Sequence, residues 1–178
     1  SLLKDLDYVE EHNASWNMFK YMLGTDNPED EEYAISHKSV VTKARYLYVK
    51  MMRFPEFSNR FITKYATYLG DFLRPDICLP IVNEMAEEIR REITPTFSVY
   101  YMSTLARHQY YIDLFCDYIT QRPAIVYQQM ADYFELGDVI PVSILNNEDN
   151  SRSISICDTP LRTGRFIGKW FTQFPLSI

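Results

Sequence analysis

Residues 76–93 read DICLPIVNEMAEEIRREI and contain the most regular helical pattern of the chain. Apolar side chains recur every four residues along this stretch, and the opposite face carries mostly glutamate and arginine. The apolar stripe consists of Ile77, Ile81, Met85, Ile89 and Ile93, flanked by Val82 and Ala86. This pattern predicts an amphipathic helix whose apolar side faces a core and whose charged side faces solvent.

Helical patterns continue on both sides of this stretch. Pro55 is typical of the first position of a helix and Gly70 of its end, and the apolar residues between them step by four. Thr94-Pro95 and Arg122-Pro123 are similar start signals further along the chain. The predicted helices cover residues 15–23, 36–53, 55–70, 76–93, 95–108, 109–120 and 123–137.

The pattern changes after Gly137. Residues 139–145 are rich in β-branched residues, 146–150 form a polar turn cluster, and 151–156 alternate strictly, which predicts a hairpin. Residues 165–171 and 175–178 are predicted to be further short strands. We therefore expect a mainly helical fold with a small β tail, α+β overall. Residues 1–137 form the helical part, and 138–178 form a tail that packs on it or starts a following domain.

Composition limits the classes of function. The chain has 178 residues and a formal net charge of -6, which fits one globular domain and argues against a nucleic-acid partner. No run of about 18 uncharged apolar residues is present, so no transmembrane segment is predicted. The 5 glycines are too dispersed for a phosphate-binding loop.

The candidate metal-binding motif is Asp5-Leu6-Asp7, near the start of the chain. If this segment is extended, two carboxylates at i and i+2 point to the same side and can meet one hard cation. Oxygen ligands of this kind suit Mg²⁺ that is shared with substrate phosphates. Asp-x-Asp is common, and the pattern alone favours solvated surface acids.

Several segments together resemble the CotH (spore coat protein H) family of atypical kinases, especially surface-type members from Bacteroides-like gut bacteria. The first segment is Leu2–Tyr8, which is similar to the family's Asp-x-Asp region. The others are Met52–Phe57 with Arg60-Phe61, Ile81–Ile89, Arg122-Pro123 with Val126, and Tyr133–Leu136. The order and spacing of these segments carry the resemblance, which covers roughly residues 2–145.

The resemblance implies a secreted or cell-surface, kinase-like fold that binds ATP with Mg²⁺ and phosphorylates serine residues of surface proteins. By that resemblance Asp7 is the first metal ligand and Asp5 the second. The family's nucleotide-binding lysine and catalytic aspartate precede the Asp-x-Asp, so no catalytic residue is assigned within these 178 residues. The chain is then expected to be the C-terminal part of such a domain, inactive alone, with the N-terminal lobe as its partner.

Two other interpretations stay open. The chain can be a non-catalytic cell-surface scaffold or adhesion module, which is favoured by Val9-Glu10-Glu11 in place of the glycine that follows the aromatic residue in the family. It can also be an unrelated helical domain in which Asp5 and Asp7 are surface acids.

Overall fold

Four helices and two small antiparallel sheets of two strands each form the part of the chain that the computed structural model describes. This part comprises residues 14–19, 40–100, 105–145 and 153–178, and only the backbone is described for 40–45 and 93–100. The elements are α1 (Val40–Met52), α2 (Pro55–Gly70), α3 (Pro75–Tyr100), α4 (Leu105–Phe134), β1 (Val139–Ile144), β2 (Ser155–Ile156), β3 (Thr159–Pro160) and β4 (Phe166–Phe171). The predicted mainly helical α+β class is therefore confirmed.

The second helix, α2, has the boundaries that the sequence predicts. It begins at Pro55, where proline is tolerated because the N–H groups of the first turn have no partner within the helix. It ends at Gly70, and the N–H of Asp71 then donates to the carbonyl of Thr67 at 2.9 Å. Its inward side is buried at Ile62, Thr63, Ala66, Thr67, Leu69 and Gly70.

Two predicted helix boundaries are wrong, because proline ends neither helix. The third helix continues through Pro95 to Tyr100, and α4 runs through Pro123, so that the predicted helices 109–120 and 123–137 are one. An internal proline removes one helical hydrogen bond and crowds the preceding turn. In α4 the residues that follow Pro123 offset this cost by packing in the core, since Val126 and Met130 are almost fully buried.

The strands pair differently from the predicted hairpin. The first strand, β1, runs antiparallel to β4, with Val139 opposite Phe171. The second strand, β2, pairs with β3, its neighbour in sequence. The predicted pairing of 139–145 with 151–156 is therefore wrong. Residues 175–178 form no strand.

The fourth strand is the partner of β1 because it brings more apolar surface to the core. Phe166, Trp170 and Phe171 are all buried, whereas the alternating segment before the β2–β3 turn contributes only two isoleucines. Pairing of strands is stabilised mainly by the side chains that pack on the buried face.

Helices and sheet share one core, at which α2 and β4 approach each other closely. A Cβ atom at Gly168 would lie 2.8 Å from the Cα of Gly70 and 2.7 Å from the Tyr127 hydroxyl, so only glycine fits there. The core residues are Phe19, Ile62, Ala66, Leu69, Val126, Tyr127, Met130, Ala131, Leu136, Ile156, Leu161, Phe166, Trp170 and Phe171. The β tail therefore packs on the helical part.

The middle of the predicted apolar stripe of α3 faces solvent, which contradicts the prediction that the stripe faces a core. Ile77 is half-buried, and only the backbone of Ile93 is described. Ile81 is 52%, Met85 55% and Ile89 44% exposed. Among the described elements α3 packs mainly on α4, whereas α2 has its main contacts with β4 and α1. A helical apolar period identifies a face, but only a neighbouring element buries it. We call Ile81, Met85 and Ile89 the outer apolar stripe.

Candidate functional site

The predicted metal ligands Asp5 and Asp7 lie outside the described residues. Across 14–19, 40–100, 105–145 and 153–178, no group of three or more His, Cys, Asp or Glu side chains is arranged to hold a metal ion. Metal binding by Asp5 and Asp7 stays a prediction. The structure does show how the segment that follows them is held.

Residues 14–19, which we call the anchored segment, are fixed to α4 by polar side chains. Arg122 Nη1 donates to the carbonyl oxygens of Ala14 and Trp16, both at 2.7 Å. Gln129 Nε2 donates to the carbonyl oxygen between them, at 2.9 Å. Arg122 is only 8% exposed, and hydrogen bonds from a buried guanidinium are stronger than those between neutral groups. The anchored segment is therefore tied to α4 through its backbone.

The aromatic ring of Phe19 joins the anchored segment to two helices. Its centroid lies 6.3 Å from Phe61 and 5.8 Å from Tyr65 of α2. It lies 6.3 Å from Tyr133 and 5.8 Å from Phe134 of α4. Most of these pairs meet edge to face, which is a favourable geometry for aromatic rings. Phe19 therefore closes the space between α2 and α4.

Tyr48 and Tyr65 of this aromatic cluster are neutral near pH 7, and burial raises their pKa values further. Burial raises the pKa of Tyr65 above its ordinary value, and the positive charge of Arg122 opposes that rise. Burial also raises the pKa of Tyr48, whose ring lies 5.7 Å from Phe61, to about 12. Neither phenol ionises near neutral pH, so the cluster acts by packing rather than by proton transfer.

The segments that carry the family resemblance are only partly brought together. Phe61, Arg122 and Phe134 come from three of these segments, and all three contact the anchored segment. The segment Ile81–Ile89 takes no part in this arrangement and instead carries the outer apolar stripe. The N-terminal segment with Asp5 and Asp7 lies outside the described residues, and Asp7 precedes the first of them, Ala14, by seven positions.

The fourth helix adds to the exposed apolar surface. Its exposed apolar and aromatic residues are Leu105, Tyr110, Tyr111, Leu114, Phe115 and Tyr118. Contiguous exposed apolar surface commonly marks a place where another molecule or segment binds. Within the described part of the chain, no helix combines the length and the hydropathy needed to cross a membrane.

A cleft of about 530 Å³ lies between α2 and the turn that joins β2 to β3. The turn residues Cys157 and Asp158 have φ angles of 44° and 64°, the left-handed conformation that a tight two-residue hairpin requires. The cleft is lined by Asn59, Arg60, Thr63, Lys64 and Tyr68 of α2 and by Cys157, Asp158, Thr159 and Pro160.

A buried carboxylate connects the end of α2 to the loop before β4. Asp71 is fully buried and accepts hydrogen bonds from the N–H groups of Arg162 at 2.6 Å and Thr163 at 2.9 Å. The Thr163 hydroxyl donates to it at 2.6 Å. The Arg162 guanidinium lies 4.4 Å from the ring centroid of Phe72, which closes the same junction from outside.

Sequence reasoning did not assign these roles, although part of the signal was present. Arg122 stands directly before a proline in the middle of a helical pattern, which is an unusual place for a charged residue. Asp71 directly follows the glycine that ends α2. Arg60 and Lys64 are spaced four residues apart and therefore lie on one face of a helix. None of these sequence patterns shows which distant segment of the chain the residue contacts.

Comparison with known proteins identifies no relative. No protein-family model matches the chain, and neither a curated protein nor a solved structure matches it significantly.

Proposed function

We propose that the chain is the helical C-terminal part of an atypical protein kinase domain of the CotH type, at a cell surface or secreted. In the intact parent protein, this domain would transfer the terminal phosphoryl group of ATP to serine residues of surface proteins. The nucleotide-binding lysine and the catalytic aspartate would come from a preceding lobe. The chain alone is then inactive.

The observation that supports this proposal most is the anchored segment. It follows the Asp5–Asp7 pair along the chain by seven residues, and it is held by Arg122, Gln129 and the cluster around Phe19. Phosphoryl transfer depends mainly on positioning and electrostatic stabilisation. Residues that fix the backbone seven positions after a proposed metal-binding pair serve that requirement.

Each residue has a defined task in this proposal. Asp7 is the primary metal ligand and Asp5 the second, while Arg122 and Phe19 are positioning residues that touch neither metal nor substrate. When bound, Mg²⁺ neutralises charge on the phosphates of ATP. The serine oxygen forms a bond to the terminal phosphorus, the bond to the bridging oxygen of ADP breaks, and the hydroxyl proton passes to a base in the preceding lobe.

The decisive experiment uses the parent protein and measures phosphoryl transfer from ATP to serine. We expect Asp7→Asn to lower the rate at least about 100-fold, because a metal ligand is lost. The matched control is Asp132→Asn, which removes the same charge from an exposed site on α4. An active parent whose rate is unchanged by Asp7→Asn contradicts the proposal.

The chain alone offers a second measurement. We expect its affinity for Mg²⁺·ATP in calorimetry to be weaker than about 1 mM, because in this proposal the lysine that grips the phosphates in the kinase site would come from the preceding lobe. A dissociation constant in the micromolar range contradicts the division of the site between two lobes.

The alternative function, a non-catalytic surface scaffold or adhesion module, is favoured by one structural observation. The outer apolar stripe and the exposed aromatic residues of α4 offer a binding surface that catalysis does not use. The encoded sequence upstream distinguishes the two functions. A lobe with a nucleotide-binding lysine and a catalytic aspartate supports the kinase, and a parent without them supports the scaffold.

A further inference from the structure

We propose that the cleft between α2 and the β2–β3 turn binds the phosphate group of an organic phosphomonoester, through Arg60 and Lys64. This inference goes beyond the proposed function and uses only described residues. Asp5 and Asp7, on which the proposed function depends, take no part in it.

The α2 wall of the cleft carries two positively charged side chains. Arg60 and Lys64 lie one helical turn apart on α2, and both line the cleft. Neither forms an ion pair with any residue in the described part of the chain, including Glu56 one turn earlier. Like charges at this spacing repel each other, so a bound anion relieves an unfavourable contact. The pair stands out because the chain as a whole carries a charge of -6.

The chemistry of the donors favours phosphate over carboxylate. Arg60 and Lys64 place two positive charges on the α2 wall, which matches a phosphomonoester dianion, whereas one arginine is sufficient for a carboxylate. The one carboxylate in the lining, that of Asp158, belongs to the β2–β3 turn on the other wall. The guanidinium fork binds two phosphate oxygens at once, and the ammonium group acts as a compact point charge. The hydroxyl of Thr63 and the amide of Asn59 line the same wall and provide neutral donors.

The size and shape of the cleft indicate that the phosphate carries an organic group. A volume of about 530 Å³ is much larger than a phosphate ion and is typical of small-molecule sites. The floor is fixed, because Thr63 and Thr159 are 7% and 3% exposed. Tyr68 offers a ring for the organic part, and the Arg162 guanidinium lies 5.9 Å from the centroid of that ring.

The opposite wall makes the cleft selective. Asp158 projects from the β2–β3 turn, whose left-handed backbone fixes its position. Its carboxylate repels a second acidic group on the ligand and accepts a hydrogen bond from an amine or hydroxyl group. We therefore expect O-phosphoethanolamine, which carries one phosphate and one ammonium group, to bind better than inorganic phosphate.

The test is an NMR titration of the uniformly ¹⁵N-labelled chain with O-phosphoethanolamine, inorganic phosphate and acetate. We expect the affinity to fall in that order, with shifts concentrated at residues 59–68 and 157–160. Acetate that binds as well as phosphate, inorganic phosphate that binds as well as the ester, or shifts that map elsewhere would each overturn the proposal.

Substitutions test the assignment to these two cations. The double variant Arg60→Gln/Lys64→Gln should weaken binding of O-phosphoethanolamine at least about tenfold. Arg91→Gln on α3, whose side chain is 75% exposed, should leave the affinity unchanged. Arg60 is exposed and Lys64 is half-buried, and neither belongs to the core, so circular dichroism and thermal melts should show an intact fold. Equal affinity in the double variant and the control excludes the cleft as the site. Neither ATP nor Mg²⁺ is present, so failure here is distinct from failure of the kinase proposal.

Discussion

The inner face of α2 and the outer apolar stripe of α3 are built from the same kind of sequence but have opposite environments. Ile62 of α2 is 3% exposed because it lies in the core that α2 shares with the sheet and α4, whereas Ile81 of α3 is 52% exposed. Both residues belong to helices with apolar side chains at helical spacing. The difference shows that burial of an apolar face depends on the neighbouring elements and not on its periodicity.

The largest expected effect is a loss of stability at Ile62, which we compare with the same substitution at Ile81. We expect Ile62→Ala to lower the free energy of unfolding by about 3 kcal/mol, because it removes buried methyl groups and leaves a cavity. Ile81→Ala should cost less than about 1 kcal/mol, because its side chain is half exposed. Urea denaturation measures both values. A loss of about 3 kcal/mol at Ile81 would show that a neighbouring segment covers the outer apolar stripe.

An intermediate effect is expected at the junction between α2 and the loop before β4. Asp71→Asn replaces one carboxylate oxygen by an NH2 group, which then faces the N–H donor of either Arg162 or Thr163. We expect a loss of about 2 kcal/mol in the free energy of unfolding. Asp117→Asn on α4 is the matched control, because that residue is exposed. Equal stability of the two variants would mean that the buried hydrogen bonds of Asp71 contribute nothing to the junction.

The smallest effect concerns the start of α3, where Arg74 donates to Asp76 at 2.9 and 2.8 Å. This side-chain hydrogen bond holds the pKa of Asp76 below its ordinary value of 3.8. A lowered pKa in the folded state stabilises the fold above the unfolded pKa, and this contribution is lost as the pH falls through the folded pKa. The Asp76 side chain is 58% exposed, so the contribution is below about 1 kcal/mol.

Denaturation of the wild-type chain and Asp76→Asn at several pH values checks this prediction. The difference in stability should be constant from pH 7 to about pH 5 and should vanish well below pH 4. If the two proteins still differ in stability at pH 2, the difference comes from packing of the Asp76 side chain rather than from its charge.

The helical content could be predicted from the sequence because its signals are local. Pro55 and Gly70 mark the ends of α2 by their own backbone preferences, and the structure agrees. Pro123 misled the prediction, since contacts made by distant residues outweigh its local preference in α4. The pairing of β1 with β4 was missed for the same reason, because it depends on which strand brings the larger buried side chains.

The candidate sites could be predicted less well, because they depend on contacts between distant residues. Arg122 meets residues 14 and 16, which precede it by 108 and 106 positions, and no local pattern specifies such a partner. The cleft around Arg60 and Lys64 forms only when the β2–β3 turn lies beside α2. The Asp5–Asp7 pair is a local motif and was identified, but its role as a metal site stays a prediction.

The contact between Gly70 and Gly168 has a consequence for the alignment of the strands. If β4 slipped by one position along β1, the side chain of Ile167 or Lys169 would replace Gly168 at the end of α2. Neither side chain fits between the two backbones, so misaligned sheets are rejected sterically. The two glycines, which have no side chain beyond a hydrogen atom, thus allow a single strand register in this two-stranded sheet.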